Sequence, residues 1–276
     1  MTSLKLEPLT PTVGAEVLGI DRDRLLADGG LAESIRKALE ANGVLVFRDL
    51  HLDDTTQVQF CQTLGEVHTW ADHPIPAITV ISLDPAKTAI AGYLRGTFDW
   101  HIDGTIDEVP NMATVLTAHV VDADGGETDF ASTYGAYDRL SPTERDEYGQ
   151  LRVLHTFEAS QRRFTPDPTP ELLAEWATRP KREHPLVWNH RSGRKSLVLG
   201  ATASHVVGWD YDRGRALLEE LLDLSTTPDL VYRHEWAIGD TVIWDNRGVL
   251  HRVTPYATQS PREMHRTTIL GDEPIQ

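Results

Sequence analysis

The sequence predicts a mainly β domain, an antiparallel sandwich or barrel with flanking helices, and three observations carry that reading. Short apolar runs rich in β-branched residues recur along the chain, each too brief for a helix. Most of them fall after residue 76 with few helical stretches between, an order that disfavours a doubly wound parallel sheet. No segment repeats at a fixed period and no Gly/Ser linker divides the chain, so residues 1–276 read as one domain.

Taken in order, Leu31–Asn42 has apolar residues at helical spacing and is followed at once by the strand-like run Gly43–Arg48. Asp54–Leu64 is the next helix, with Asp53 or Asp54 as its cap. Strands are expected over Ala77–Leu83 and Ala113–Val121, and Pro166–Pro180 reads as a polar, Pro-rich insertion. Lys195–Leu199 is a short strand, and Arg213–Leu224 is a helix built around Leu-Leu-Glu-Glu-Leu-Leu. Leu230–Arg233, Asp240–Trp244 and Arg266–Leu270 complete the strands.

Composition narrows the function. With 40% hydrophobic and 25% charged residues the chain is an ordinary folded protein. Its 26 Lys and Arg stand against 42 Asp and Glu, a net charge of −16 that repels phosphate backbones and anionic lipid surfaces. Nucleic acid and membrane are therefore not expected as partners. Cys61 is the one cysteine and has no internal disulfide partner. The start Met1-Thr-Ser-Leu-Lys-Leu-Glu has no signal-like pattern, and no long apolar run follows, so a cytoplasmic location is expected.

Without cysteines to spare, a metal site must draw on His, Asp and Glu. In a strand, residues i and i+2 share a face, so a His-x-Asp pair can hold one ion together with a distant His. About one such pair is expected by chance in a chain with 12 His, and two occur: His51-Leu-Asp53 and His101-Ile-Asp103. The first leads into the helix at Asp54, where a carboxylate is wanted to accept free N–H groups, so its role is structural. His101-Ile-Asp103 lies between Arg95-Gly-Thr-Phe-Asp99 and Gly104-Thr with no helix to cap, and is the candidate metal pair.

The last third holds Trp244-Asp-Asn-Arg-Gly-Val-Leu-His251 and then Arg262-Glu-Met-His-Arg266. If Arg262 opens a strand, Arg262, Met264 and Arg266 share one face, with Glu263 and His265 on the other. Two inward guanidinium groups need anions, and their planar forks suit carboxylates, so a dicarboxylate cosubstrate is a natural occupant.

Trp100-His-Ile-Asp103, Gly125-Gly-Glu-Thr-Asp-Phe130, Ala203-Ser-His-Val206, Trp244-Asp-Asn-Arg247, Leu250-His251 and Arg262-Glu-Met-His-Arg-Thr-Thr268 together resemble the taurine dioxygenase/2,4-dichlorophenoxyacetate dioxygenase family of iron(II)- and 2-oxoglutarate-dependent oxygenases. Gly200-Ala-Thr-Ala-Ser-His-Val-Val-Gly208 is similar to the phenoxyacetate branch in particular. The resemblance implies a double-stranded β-helix (jelly roll), with His101, Asp103 and His251 as ligands of iron(II). It implies that Arg262 and Thr128 hold the distal carboxylate of 2-oxoglutarate, and that Arg266 lies near its C1 carboxylate and the acidic group of the substrate. Dioxygen is the second cosubstrate, and two imidazoles with one carboxylate leave three open positions for these ligands. The expected reaction is hydroxylation of a small organic anion with release of succinate and carbon dioxide, in a homo-oligomer, dimer or tetramer.

The chain departs from the taurine branch at Gly65-Glu-Val-His-Thr-Trp70, where Trp70 stands in place of a second histidine, and at Thr97, where that branch usually has Asn. Taurine is therefore disfavoured, and Trp70 either widens or flattens the pocket toward an aromatic or lipid-like group or is an ordinary packed tryptophan. His68, His73 and His205 are further candidates for contact with an anion. Two other functions use the same residues: a zinc or manganese isomerase or hydrolase of jelly-roll fold, and a non-catalytic binding protein on that scaffold.

Overall fold

A computed structural model of the chain describes residues 4–27, 29–69 and 75–276. The chain begins β1 (Lys5–Pro8), β2 (Ala15–Leu18), α1 (Arg22–Ala27), α2 (Leu31–Asn42), β3 (Val44–Phe47), α3 (Asp54–Leu64) and β4 (Thr79–Ile81). A 3-10 helix, Ala91–Phe98, then leads into β5 (Ala113–Val120), β6 (Thr128–Ser132), α4 (Thr133–Arg139), α5 (Pro142–Tyr148) and β7 (Arg152–Thr156). Next come α6 (Phe157–Arg162), α7 (Pro170–Ala177), β8 (Lys181–Pro185), β9 (Val187–Asn189), β10 (Lys195–Leu197), β11 (Ala203–Val206) and α8 (Tyr211–Ser225). The chain closes with β12 (Val231–His234), β13 (Thr241–Asp245), β14 (Val249–Val253) and β15 (Glu263–Ile269).

Two of these sheets position everything that follows. The larger has the order β1-β2-β3-β13-β5-β15-β4, antiparallel except where β2 meets β3, and the smaller is β12-β6-β14. Alternation sorts their side chains. Leu116 and Ala118 of β5, Val242 and Trp244 of β13 and Met264 of β15 meet Phe130, Tyr232 and Val249 of the small sheet in one buried cluster. The opposite face of the large sheet, with Val115, Ile243 and Ile269, is covered by Ile35 and Leu39 of α2 and Phe60, Cys61 and Leu64 of α3. The small sheet turns Ala131 and Leu250 toward Leu218 and Leu221 of α8 in a third cluster.

Asp129, 1% exposed at the centre of the small sheet, sits between Arg233 and Arg252 in register and accepts from both. A buried carboxylate needs such pairing, because desolvation without it is severely unfavourable.

The helices Leu31–Asn42 and Asp54–Leu64 have the bounds that the periodicity predicts. Asp53 is the cap: its carboxylate accepts the Thr56 N–H at 2.8 Å. Asp53→Ala is expected to lower stability by about 1 kcal/mol and to leave turnover intact, as thermal denaturation and succinate formation will show. His51 lies far from any ligand role, with its imidazole bonded to Asp49.

Several expectations need correction. The helix expected over Arg213–Leu224 starts earlier, at Tyr211, because Asp210 caps it. The Pro166–Pro180 insertion contains α7, whose Pro170 occupies the first turn, where its missing N–H is no loss. The strand expected at Leu230–Arg233 runs Val231–His234, since Leu230 closes a 3-10 turn, and the one at Arg266–Leu270 begins three residues sooner, at Glu263. No helix of the described residues is long and apolar enough to cross a membrane.

Candidate metal centre and anion pockets

His251 lies on β14 with Val249, facing the space between the sheets, where Trp244 and Phe130 flank its ring at centroid distances of 4.7 and 6.4 Å. Across from it the segment Trp100–Asp103 lies alongside β14, and the backbones of His101 and His251 exchange two hydrogen bonds of 3.0 and 2.9 Å. That bridge brings the two imidazoles to 4.1 Å, although 149 residues separate them in sequence. Gly200 makes room for it. A Cβ there would stand 2.8 Å from the Trp100 carbonyl oxygen and 2.9 Å from His101 Cα, while the next residue, Ala201, donates its N–H to that same carbonyl.

Asp103 completes the group. Its carboxylate oxygens lie 3.9 Å from His101 Nε2 and 3.8 Å from His251 Nε2, too far for hydrogen bonds but close enough for three ligands to share one ion. His101 donates its Nδ1–H to the Asp99 carbonyl at 2.8 Å, which fixes the tautomer and turns the Nε2 lone pair toward Asp103. Thr114, inward on β5, donates to Asp103 Oδ2 at 2.8 Å and accepts from Asn246 Nδ2 at 3.0 Å. Burial acts to raise the Asp103 pKa, but His251, Arg266, His101 and the Thr114 hydroxyl outweigh it and hold the carboxyl at about 2. Burial pushes the pKa of His251 well below its usual value, with His101 adding to the effect, so the ring is neutral as ligation requires. The residues fit a divalent metal with a two-histidine, one-carboxylate face.

Arg262 is 2% exposed at the entry to β15. Its Nη2 donates to the Gly126 carbonyl at 3.0 Å and its guanidinium lies 4.9 Å from the Tyr256 ring centre. A Cβ on Gly126 would fall 2.8 Å from Arg262 Nε, and the positive φ of 82° also favours glycine. Nη1 is buried with no hydrogen bond among the described residues. Beside it is a cavity of about 170 Å³ walled by Glu127, Trp236 and the Gly125–Gly126 backbone. The Thr128 hydroxyl accepts from Trp236 Nε1 at 3.0 Å, and Trp236 lines the cavity beside Arg262.

Arg266 shares the inward face with Arg262 and Met264, as strand alternation predicts, and its charge bears on both Asp103 and His251. Its Nε is buried without a partner among the described residues. It forms one end of a mostly apolar cavity of about 350 Å³ lined by Ile78, Val80, Ala89 and Ile90, with Lys87 also on the wall.

His68 is tied by its backbone N–H to Thr268 and lies near Asp107. The Thr97 hydroxyl donates to the Leu94 carbonyl within its own 3-10 helix. His205 bonds Ser204 and lines a different cavity of about 460 Å³ with Arg162, Arg163, Lys181 and Arg215. Trp70 and His73 lie outside the described residues. Trp244 and Asp245 end β13 and Asn246 and Arg247 enter the turn to β14, with the buried Asp245 carboxylate accepting from Arg247 Nε and Nη2 at 2.8 and 3.1 Å. Residue patterning alone missed Thr114 and Asn246; the available signal was a polar residue on the inward face of an otherwise apolar strand.

Known proteins are similar to this chain over nearly its whole length. The chain is 34% identical to the alpha-ketoglutarate-dependent 2,4-dichlorophenoxyacetate dioxygenase of Cupriavidus pinatubonensis, covering 98% of this chain and 99% of that one. It is 32% identical to the alpha-ketoglutarate-dependent sulfate ester dioxygenase of Pseudomonas putida over 99% of this chain and 91% of the other. Among solved structures, AAD-2 in complex with Mn(II) and N-oxalylglycine superposes with a TM-score of 0.85 at 29% identity, covering 99% of this chain and 100% of that one. The family model for taurine catabolism dioxygenase TauD, TfdA matches residues 5–268, a span that takes in both halves of the His-Asp-His group and both arginines. The chain therefore belongs to the TauD/TfdA family.

Proposed function

We propose that this chain, a 2-oxoglutarate-dependent dioxygenase by family, hydroxylates a small organic anion with an apolar or aromatic body. The observation that carries the reading is the pair of guanidinium groups on one face of β15, each bordering a cavity of its own, with the charge of Arg266 bearing on Asp103 and His251. His101, Asp103 and His251 hold iron(II). Arg262 takes the distal carboxylate of 2-oxoglutarate with its unpartnered Nη1, and Thr128 supports that end through Trp236. When bound, iron(II) supplies activation of dioxygen coupled to oxidative decarboxylation of 2-oxoglutarate to succinate and carbon dioxide. The facing sheets are read as the two halves of the double-stranded β-helix.

The substrate follows from Arg266. With Arg262 occupied by the cosubstrate, a second inward guanidinium still favours a negative partner in a site of low dielectric. The apolar cavity that Arg266 borders accepts a flat or branched hydrocarbon body next to that charge. The named relatives act on a phenoxyacetate and on a sulfate ester, both anions, which supports the reading. At saturating 2-oxoglutarate, carboxylate substrates should release succinate efficiently while their neutral amides and esters should not. Equal coupling by the neutral analogues would assign Arg266 to the cosubstrate alone. An isomerase or hydrolase on the same ligands would use the arginines to bind substrate directly, and anaerobic addition of iron(II) and 2-oxoglutarate separates it: only the oxygenase develops a visible chelate absorption band.

A further inference from the structure

The face of β15 that looks away from the His-Asp-His group carries Glu263 and His265. Opposite them β5 is bulged: Glu263 pairs with Val120 and Met264 with Ala118, which leaves His119 out of the ladder. A bulge of this kind re-aims one side chain. Here the imidazole of His119 lies against that of His265, with ring centres 3.8 Å apart and planes within 29°. Asp54, at the start of α3, closes the group by hydrogen bonding its Oδ1 to His265 Nδ1. One ring nitrogen of each histidine and a carboxylate oxygen of Asp54 all lie within 4.8 Å of one another.

We propose that Asp54, His119 and His265 form a second divalent metal site, of the nitrogen and oxygen type that takes zinc(II), joining α3 to β5 and β15. Its donor set repeats that of His101, Asp103 and His251, drawn from the face of β15 opposite to Arg262 and Arg266. The supporting shell is present as well. With Nδ1 of His265 turned to Asp54, its Nε2–H reaches Glu263 Oε1 at 3.2 Å, the arrangement in which a carboxylate fixes the tautomer and aim of a ligand histidine. Lys87 in turn holds the other oxygen of Glu263 at 2.9 Å. On binding, the ion replaces the proton shared between Asp54 and His265, which leaves to solvent, so charge and ligands balance without any other reactant.

A cationic His265 clamped between Asp54 and Glu263 explains two of these contacts and fails on the third residue. It gives no partner to His119, whose Nε2 is buried without a hydrogen bond among the described residues, a state that ordinarily destabilises a fold. Burial, with His265 adding to it, lowers the His119 pKa, so its lone pair is free for a metal at neutral pH.

The test is zinc(II) binding to the metal-free full-length chain by equilibrium dialysis, with cobalt(II) absorption as the spectroscopic check. Two equivalents are expected in the unaltered protein. Asp103→Ala and His119→Ala should each retain one, and the double variant none, with circular dichroism confirming that each is folded. Glu263→Gln should weaken only the second equivalent, on the order of 10–100-fold. Zinc should also raise the melting temperature of Asp103→Ala and not that of the double variant. A single equivalent in the unaltered chain, abolished by Asp103→Ala, overturns the proposal, and that stoichiometry needs no variant at the second site to be decisive. The inference does not rest on the substrate reading, since a chain that released no succinate would still bind the second ion.

Discussion

Asp103→Ala is expected to abolish iron-dependent succinate formation while the chain stays folded. Asp103 is the one carboxylate of the group, and Thr114, Asn246 and the two imidazoles are all arranged around it. Its removal takes away the one anionic ligand and leaves the charge of Arg266, which bears on the same group, without that counterweight. Loss of an outer partner of a ligand typically weakens metal affinity about 10–100-fold, and loss of the ligand itself should exceed that. The decisive comparison is with Asp53→Ala, which removes the carboxylate of the other His-x-Asp pair and should alter stability alone. Anaerobic iron titration alongside succinate release reads both. If both variants lose activity equally, the choice between the two pairs is wrong.

The second large effect is expected at Arg262. Arg262→Lys should raise the 2-oxoglutarate requirement strongly, because an ammonium cannot donate to the Gly126 carbonyl and also present a fork to a carboxylate. Weakening one partner of a buried charged contact costs about 2–5 kcal/mol, which corresponds to a rise in the dissociation constant of roughly 30-fold or more. Binding of 2-oxoglutarate to the iron-loaded variant, followed by the chelate absorption band, measures it directly. An unchanged dissociation constant would sink the assignment, and a change in substrate affinity with normal cosubstrate binding would transfer the role to Arg266.

Much of the chemistry could be read from short-range pattern. Helix bounds at Leu31–Asn42 and Asp54–Leu64 followed from apolar spacing and a capping carboxylate, both properties of consecutive residues. The shared face of Arg262 and Arg266 followed from the period of two. The helices α4 to α7 escaped because each spans only six to eight residues, barely two turns, too short for periodicity to register. Strands β1 and β8 escaped because they are largely exposed and polar, as in Lys5-Leu-Glu-Pro8 and Lys181-Arg-Glu-His-Pro185.

By itself, then, the sequence determined which residues offer ligand atoms, which pair caps a helix and which side chains share a strand face, since each depends on neighbours within about one turn or one pleat. Tertiary structure alone decided what stands opposite them. It laid His101 beside His251, placed Thr114 and Asn246 behind Asp103, and gave Arg262 a cavity separate from that of Arg266. It also put the bulge at His119 inside a run that reads as an unbroken strand, and so gathered Asp54, His119 and His265 from three elements. The physical reason is the same in each case: register between strands is set by how both faces of a sheet pack at once, and a one-residue shift, invisible in the local pattern, moves a side chain from one environment to another.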